Sequence, residues 1–247
     1  MLFRSGTPAP TPQIPATLDW DLWLGVAPKR PYSSAYLPFN WRGFWDFGTG
    51  ALGDMGCHLF NLPDLSLGIR DATHVEAWSE GMTAVSGPKA SVVKWEIPAT
   101  AQRPAFTLWW YDGGKLPPAA LFPGAPYADN GVLFVGNQDV MLTNYNGGAT
   151  FRSGRKVEDF KNVPETLPKC SNWDRCHYEE WIRACKGGPA ALSDFSVAGP
   201  MTEVVLLGNV ALRAGRPLVW DSAALRVTND RAANEWVRQT DRAGWTV

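Results

Sequence analysis

The chain of 247 residues sets 23 Lys and Arg against 24 Asp and Glu, a net charge of −1. That near-balance argues against a nucleic-acid binder, which presents a basic surplus or stripe. With 45% apolar residues and no uninterrupted apolar run near the ~18 residues of a membrane span, the chain can build a core, and disorder, collagen and coiled coil are excluded. At about 150 residues per domain the length admits one large domain, or one domain with a tail.

Residues 1–18 hold Pro8, Pro10, Pro12 and Pro15 and no apolar stretch of the signal-peptide kind. They are expected to be a disordered Pro-rich lead-in to a domain over 19–247. Leu2 to Ser5 also match one frame of a common sequencing adapter, so a reading frame truncated at its 5′ end is expected. Asp19 to Asn40, rich in Trp, Pro and Tyr, suits a packed irregular segment. From Ala51 to Leu67, Leu52, Met55, Leu59, Leu62 and Leu65 recur at spacings of three and four, which predicts a helix with a bend at Pro63. Three strands follow at Thr73 to Trp78, Ser91 to Ile97 and Ala105 to Tyr111, each rich in β-branched or aromatic residues. Asp112-Gly113-Gly114 marks a turn, and Lys115 to Asn130 reads as a long loop. Two more strands, Val132 to Val135 and Asp139 to Asn144, flank a Gly136-Asn137 turn. Asn172 to Lys186 is an amphipathic helix closed by Gly187. Another opens with Pro200 in its first turn, runs to Arg213 and stops at Gly215. Strands in succession, with helices gathered before and after them, predict an α+β domain: an open antiparallel β-sheet with helices packed on one face.

The 13 Trp residues are the compositional outlier. Aromatic faces fill cores and also stack on sugar rings, so the count is consistent with a carbohydrate site. Cys57, Cys170, Cys176 and Cys185 are too sparse for a disulfide scaffold. Cys170, Cys176, His177 and Cys185 match no common metal spacing, and no metal is expected.

Gly48, Gly50 and Gly53 spell G-x-G-x-x-G, but the dinucleotide reading fails on context. The preceding run contains Arg42, Gly43 and Asp46 instead of a buried strand. Asp54 falls in the first helical turn, where its charge would repel a pyrophosphate. Chemistry is better carried by Asp54 and His58, four residues apart and so on one helical face. A carboxylate orients an imidazole, and histidine is the side chain best suited to move protons near neutrality. Asn61 extends this polar line, and Gly48, Gly50 and Gly53 would let backbone approach a ligand at the helix start. A solvent-facing pair near a helix start is the plainer alternative. His74, in a strand pattern, and His177, in a helix, are read as structural.

The run Asn40-Trp41-Arg42-Gly43-Phe44-Trp45-Asp46-Phe47-Gly48-Thr49-Gly50-Ala51-Leu52-Gly53-Asp54-Met55-Gly56-Cys57-His58 resembles the C-terminal domain of the Gfo/Idh/MocA oxidoreductases, with its glycine-rich turn followed by Asp-x-x-x-His. The similarity continues through 19–25, 27–32, 180–186 and 206–211, and so spans most of Asp19 to Trp245. The resemblance implies a two-domain enzyme: an N-terminal Rossmann domain for NAD or NADP, expected to lie outside this chain, and a C-terminal antiparallel sheet that walls the substrate site and builds a homo-oligomer. Substrates would be sugars, cyclitols or their derivatives, with Asp54 and His58 assisting proton transfer at the hydroxyl being oxidised. Arg42, Trp41 and Asn61 are the candidates for holding substrate; for Arg42, a buried ion-pair role is an equal reading. Ser33 and Leu37 stand near positions where relatives commonly carry histidine, and Asn61 stands where aspartate is frequent. The isolated chain is expected to bind no cofactor with confidence and to be inactive without the Rossmann domain. Two alternatives stay open: NAD-dependent redox-assisted glycoside cleavage, and a non-catalytic carbohydrate-binding or assembly module. No nucleic-acid or membrane partner is expected. A cytoplasmic setting is favoured, and a periplasmic one follows if a preceding segment carries a twin-arginine signal.

Overall fold

Helices α1 (Trp20–Leu24), α2 (Gly50–Leu67), α3 (Cys176–Cys185) and α4 (Phe195–Ala214) accompany eight strands. These are β1 (His74–Glu80), β2 (Ala90–Ile97), β3 (Phe106–Tyr111), β4 (Gly131–Val135), β5 (Val140–Asn144), β6 (Ala149–Phe151), β7 (Leu218–Asp221) and β8 (Arg226–Val227). The structure is a computed structural model that describes residues 6–11, 13–125, 127, 130–144, 148–168 and 175–245. The chain divides into two compact units, Met1–Leu116 with Met201–Val247, and Pro117–Pro200.

The first unit is built on a five-stranded sheet in the order β3-β2-β1-β7-β8, antiparallel throughout. Alternation sets its faces. On β2, Val93, Trp95 and Ile97 are buried while Val92, Lys94 and Glu96 are half-buried. The buried face packs on α2 and α4, with Leu52 and Phe60 from the first and Val204, Val205, Leu207 and Ala211 from the second. Phe60 meets Trp95 and Trp110 edge-on, at centroid distances of 5.5 and 6.0 Å. The architecture is thus the expected α+β one, with helices on one face of an open antiparallel sheet. The other face carries Trp78, Trp109 and Tyr111, with Trp109 lying parallel to each of the other two.

Helix α2 begins at Gly50, whose φ of 64° lies in the left-handed region that favours glycine. It runs through Pro63 and ends at Gly68, also left-handed. Its terminal carbonyls are closed by Arg103, which donates to the oxygens of Leu67, Gly68 and Pro98. Helix α4 differs from expectation at its start, because Pro200 lies inside the helix and not in its first turn. Asp194 starts it earlier: its carboxylate accepts from the Ser196 amide at 2.8 Å and its carbonyl from the Ala198 amide at 2.8 Å. The length and composition of α4 would suffice to cross a membrane. Nine of its residues, from Met201 to Leu212, are buried, which makes it a core helix.

The proline-rich start is tied to the rest of the first unit. The Gly6 amide donates to Ser86 Oγ at 3.0 Å, and the Thr11 amide to the Tyr32 carbonyl at 2.8 Å. These bonds satisfy backbone groups of a segment expected to be disordered. Beyond it, Arg30 pairs with Asp46 and lies 5.2 Å from the Phe47 ring centroid. Trp20 and Trp23 stack at 4.7 Å beside Tyr36.

The second unit carries a three-stranded antiparallel sheet, β4-β5-β6, over a small cluster of Phe122, Val140 and Leu142. The strands expected at Val132 and Asp139 are β4 and β5, whereas the short β6, β7 and β8 were not expected. Of the helix expected from Asn172, the first residues lie outside the described ones, and α3 begins at Cys176.

Candidate functional site

A tight reversal of the chain prepares the site. A 3-10 turn, Asn40–Gly43, is followed by an isolated bridge between Phe44 and Ser86, then by the glycine run into α2. Among the described residues no parallel strand precedes the glycines. A Cβ on Gly48 would lie 2.5 Å from the Arg42 carbonyl oxygen and 2.6 Å from its Cα, and one on Gly53 would collide with the Thr49 side chain, whereas one on Gly50 would meet only Gly87 Cα at 3.9 Å. The expectation that these glycines admit a ligand is therefore corrected at Gly48 and Gly53, whose space is filled by Arg42 and Thr49. The turn does not fit a dinucleotide.

Asp54 and His58 lie on α2, four residues and about one turn apart. Asp54 is half-buried, His58 is exposed, and Asn61, further along, is half-buried. The reversal brings Arg42 back onto Asp54, with Nε 3.3 Å from Oδ1. The same guanidinium sits 4.5 Å from the Phe39 ring centroid and 4.6 Å from that of Trp41, and donates to the Phe39 carbonyl at 3.3 Å. Trp41, Arg42 and Asp54 are thus gathered into one cluster, while His58 and Asn61 continue from Asp54 along α2. With both partners less than a third exposed, the ion pair contributes on the order of 1 kcal/mol to stability. Sequence spacing did not expose this pair, since its members are twelve residues apart and meet only because Gly48 lets the chain fold back.

The cluster offers a carboxylate whose charge is matched and aromatic surface at Trp41, and one turn along α2 stands the exposed imidazole of His58. The other histidines lie elsewhere. His74 is exposed on β1 with its Nδ1 3.1 Å from Thr73 Oγ1, and His177 packs beside Tyr178 at 4.1 Å. Among the described residues no three His, Cys, Asp or Glu side chains form a metal cluster. Cys176 is disulfide-bonded, and Cys170 lies outside the described residues. On the open sheet face, Lys94 and Glu96 pair at 2.5 Å. Their hydrogen bond holds the lysine above its ordinary pKa and the glutamate below its own. Burial pushes the nearby Tyr111 hydroxyl up.

The model of the oxidoreductase family, C-terminal alpha/beta domain, GFO_IDH_MocA_C2, matches residues 3–82. That stretch contains the reversal, all of α2 and all of β1. The expected kinship with the Gfo/Idh/MocA C-terminal domain is borne out over these residues. A solved structure from Thermotoga maritima, assigned as an oxidoreductase, is similar over 78% of this chain at 13% identity and a TM-score of 0.34. This chain spans 52% of that protein's length. No curated protein matches the chain.

Proposed function

We propose that this chain is the substrate-binding and oligomerisation part of an NAD(P)-dependent oxidoreductase acting on the CH–OH group of a sugar, cyclitol or derivative. One observation carries the reading: Asp54 and His58 share α2 within the family-matched stretch, and Asp54 is held by Arg42 beside the Trp41 ring. In this reading the exposed His58 imidazole accepts the proton of the substrate hydroxyl as the carbonyl forms and the hydride passes to the bound nicotinamide, and Asp54, held by Arg42, assists the transfer. Trp41 offers a flat face to the ring of the sugar, and the Asn61 amide hydrogen-bonds a neighbouring hydroxyl. NAD or NADP is held by a Rossmann domain outside this chain.

The test is to join the chain to a dinucleotide-binding domain of the family and assay a panel of sugars and cyclitols with both cofactors. Turnover is expected, falling about 10²–10⁴-fold in His58→Ala. Turnover unaffected by both His58→Ala and Asp54→Asn would overturn the assignment. Calorimetry on the 247-residue chain should show no NAD binding, and tight binding would contradict the division of labour.

We propose further that the open sheet face makes a homo-oligomer. Exposed Trp78 and Trp109 lie among Glu76, Lys94 and Glu96, so a second copy related by a two-fold axis can oppose lysine to glutamate over aromatic surface. Sedimentation velocity should give an oligomer that Trp109→Ser dissociates. A monomer at tens of micromolar would refute it.

A further inference from the structure

We infer that Arg42 is a positioning residue for Asp54, set in place by Gly48, and that it does not itself hold substrate. The inference rests on the reading of Asp54 as part of the catalytic pair, and it assigns how that carboxylate is aimed.

Two independent features converge on it. The first is how the guanidinium is occupied. Its Nε faces Asp54, one terminal nitrogen donates to the Phe39 carbonyl, and the rings of Phe39 and Trp41 lie 4.5 and 4.6 Å away. An arginine that clamps a ligand presents a fork of parallel N–H groups; here Nε is turned to the Asp54 carboxylate and one terminal nitrogen to the Phe39 carbonyl, so two of the three guanidinium nitrogens already face protein acceptors. The second is the backbone beneath it. A Cβ at position 48 would stand 2.5, 2.6 and 2.8 Å from the carbonyl oxygen, Cα and carbonyl carbon of Arg42. Backbone cannot yield as a flexible side chain can, so only glycine allows the chain to cross Arg42 at this distance. Two residues after that crossing α2 begins, and Asp54 follows within it. One turn of chain therefore fixes both ends of the ion pair.

Asp54 by itself has three staggered settings at χ1, and a carboxylate without a partner samples them. The planar, pre-organised guanidinium selects one. A carboxylate held in one setting keeps a constant direction, which is the geometric demand of assisted proton transfer.

The experiment measures the Asp54 three-bond couplings about χ1 by NMR in the 247-residue chain, for the natural protein and for Arg42→Gln and Arg42→Lys, with folding checked by circular dichroism. A single rotamer is expected in the natural chain, averaging in Arg42→Gln, and an intermediate preference in Arg42→Lys, which keeps the charge but loses the planar group stacked on Phe39 and Trp41. In the enzyme joined to its dinucleotide-binding domain, Arg42→Gln should lower kcat about ten- to hundredfold with KM within about twofold, and Arg42→Lys should recover part of it. Gly48→Ala should reproduce the Arg42→Gln couplings if it folds; Arg42→Gln decides the matter if it does not. Asp54 couplings unchanged in Arg42→Gln would overturn the inference, as would a raised KM with kcat retained, which marks a substrate contact. If instead Asp54→Asn leaves turnover intact, the assignment of the catalytic pair fails, while the couplings still decide whether Arg42 aims the carboxylate.

Discussion

The two units are stabilised by different means. Among the described residues the first gathers twenty into one buried cluster running from Leu52 to Ala233, whereas the cluster of the second is Phe122, Val140 and Leu142. The second unit instead leans on polar pins. The Asp139 carboxylate accepts from the amides of Val140 and Ser153 and from the Ser153 hydroxyl, Arg152 donates to the Leu121 carbonyl at 3.0 Å, and Glu180 accepts from the Leu192 amide at 2.7 Å. An apolar interior responds to volume and is nearly indifferent to pH, while a hydrogen-bonded carboxylate responds to protons. The first unit has such carboxylates too, with Asp112 accepting from Ser91 and Trp110 and Glu203 from Trp220 and Ser222, so the contrast lies in the size of the apolar interior that backs them.

The largest expected effect comes from the interior of the first unit. Trp95→Ala removes a fully buried indole and should cost about 4 kcal/mol in a urea titration. Gly208→Val follows, at about 2–3 kcal/mol, because a Cβ there already meets Trp95 at 2.5 Å and Leu52 at 2.7 Å. Val140→Ala in the second unit should cost about 1–2 kcal/mol, and hydrogen exchange should place the loss on β4 to β6. A cost matching that of Trp95→Ala would erase the contrast. The pH test uses Asp139, whose carboxyl is held below its ordinary range chiefly by the Ser153 hydroxyl. A carboxyl lowered in the folded state stabilises above its unfolded value and loses that contribution as pH falls through the folded one. Amide protection factors on β5 and β6 should therefore fall in acid below about pH 4, and Asp139→Asn should abolish the dependence. Smallest of all, Trp78→Ser should leave the stability of the monomer, measured at dilution, within about 0.5 kcal/mol, since without a second copy that ring stands exposed on the open face.

What could be seen in the sequence follows from the range of each interaction. Strands β1 to β5 announced themselves because runs of β-branched and aromatic residues, bounded by turn residues, are legible in a single segment. The short β6, β7 and β8, of three, four and two residues, hold too few such residues to stand out. Helix α2 was evident from its spacing, and with it the proximity of Asp54 and His58, a local property of one helix. The partner of Asp54 was not, because Arg42 reaches it through a reversal, and no periodicity encodes a reversal. The start of α4 was misplaced for a related reason: Pro200 suits a first turn, but the hydrogen bonds offered by Asp194 outweigh that preference and carry the helix through the proline.

The bare Cα of Gly208 has a reach beyond packing. Because α4 meets Trp95 and Leu52 at a position that lacks a side chain, sliding the helix by a single residue would drive Leu207 or Asn209 into the indole. The helix is thereby indexed against the sheet as a key is by its notch.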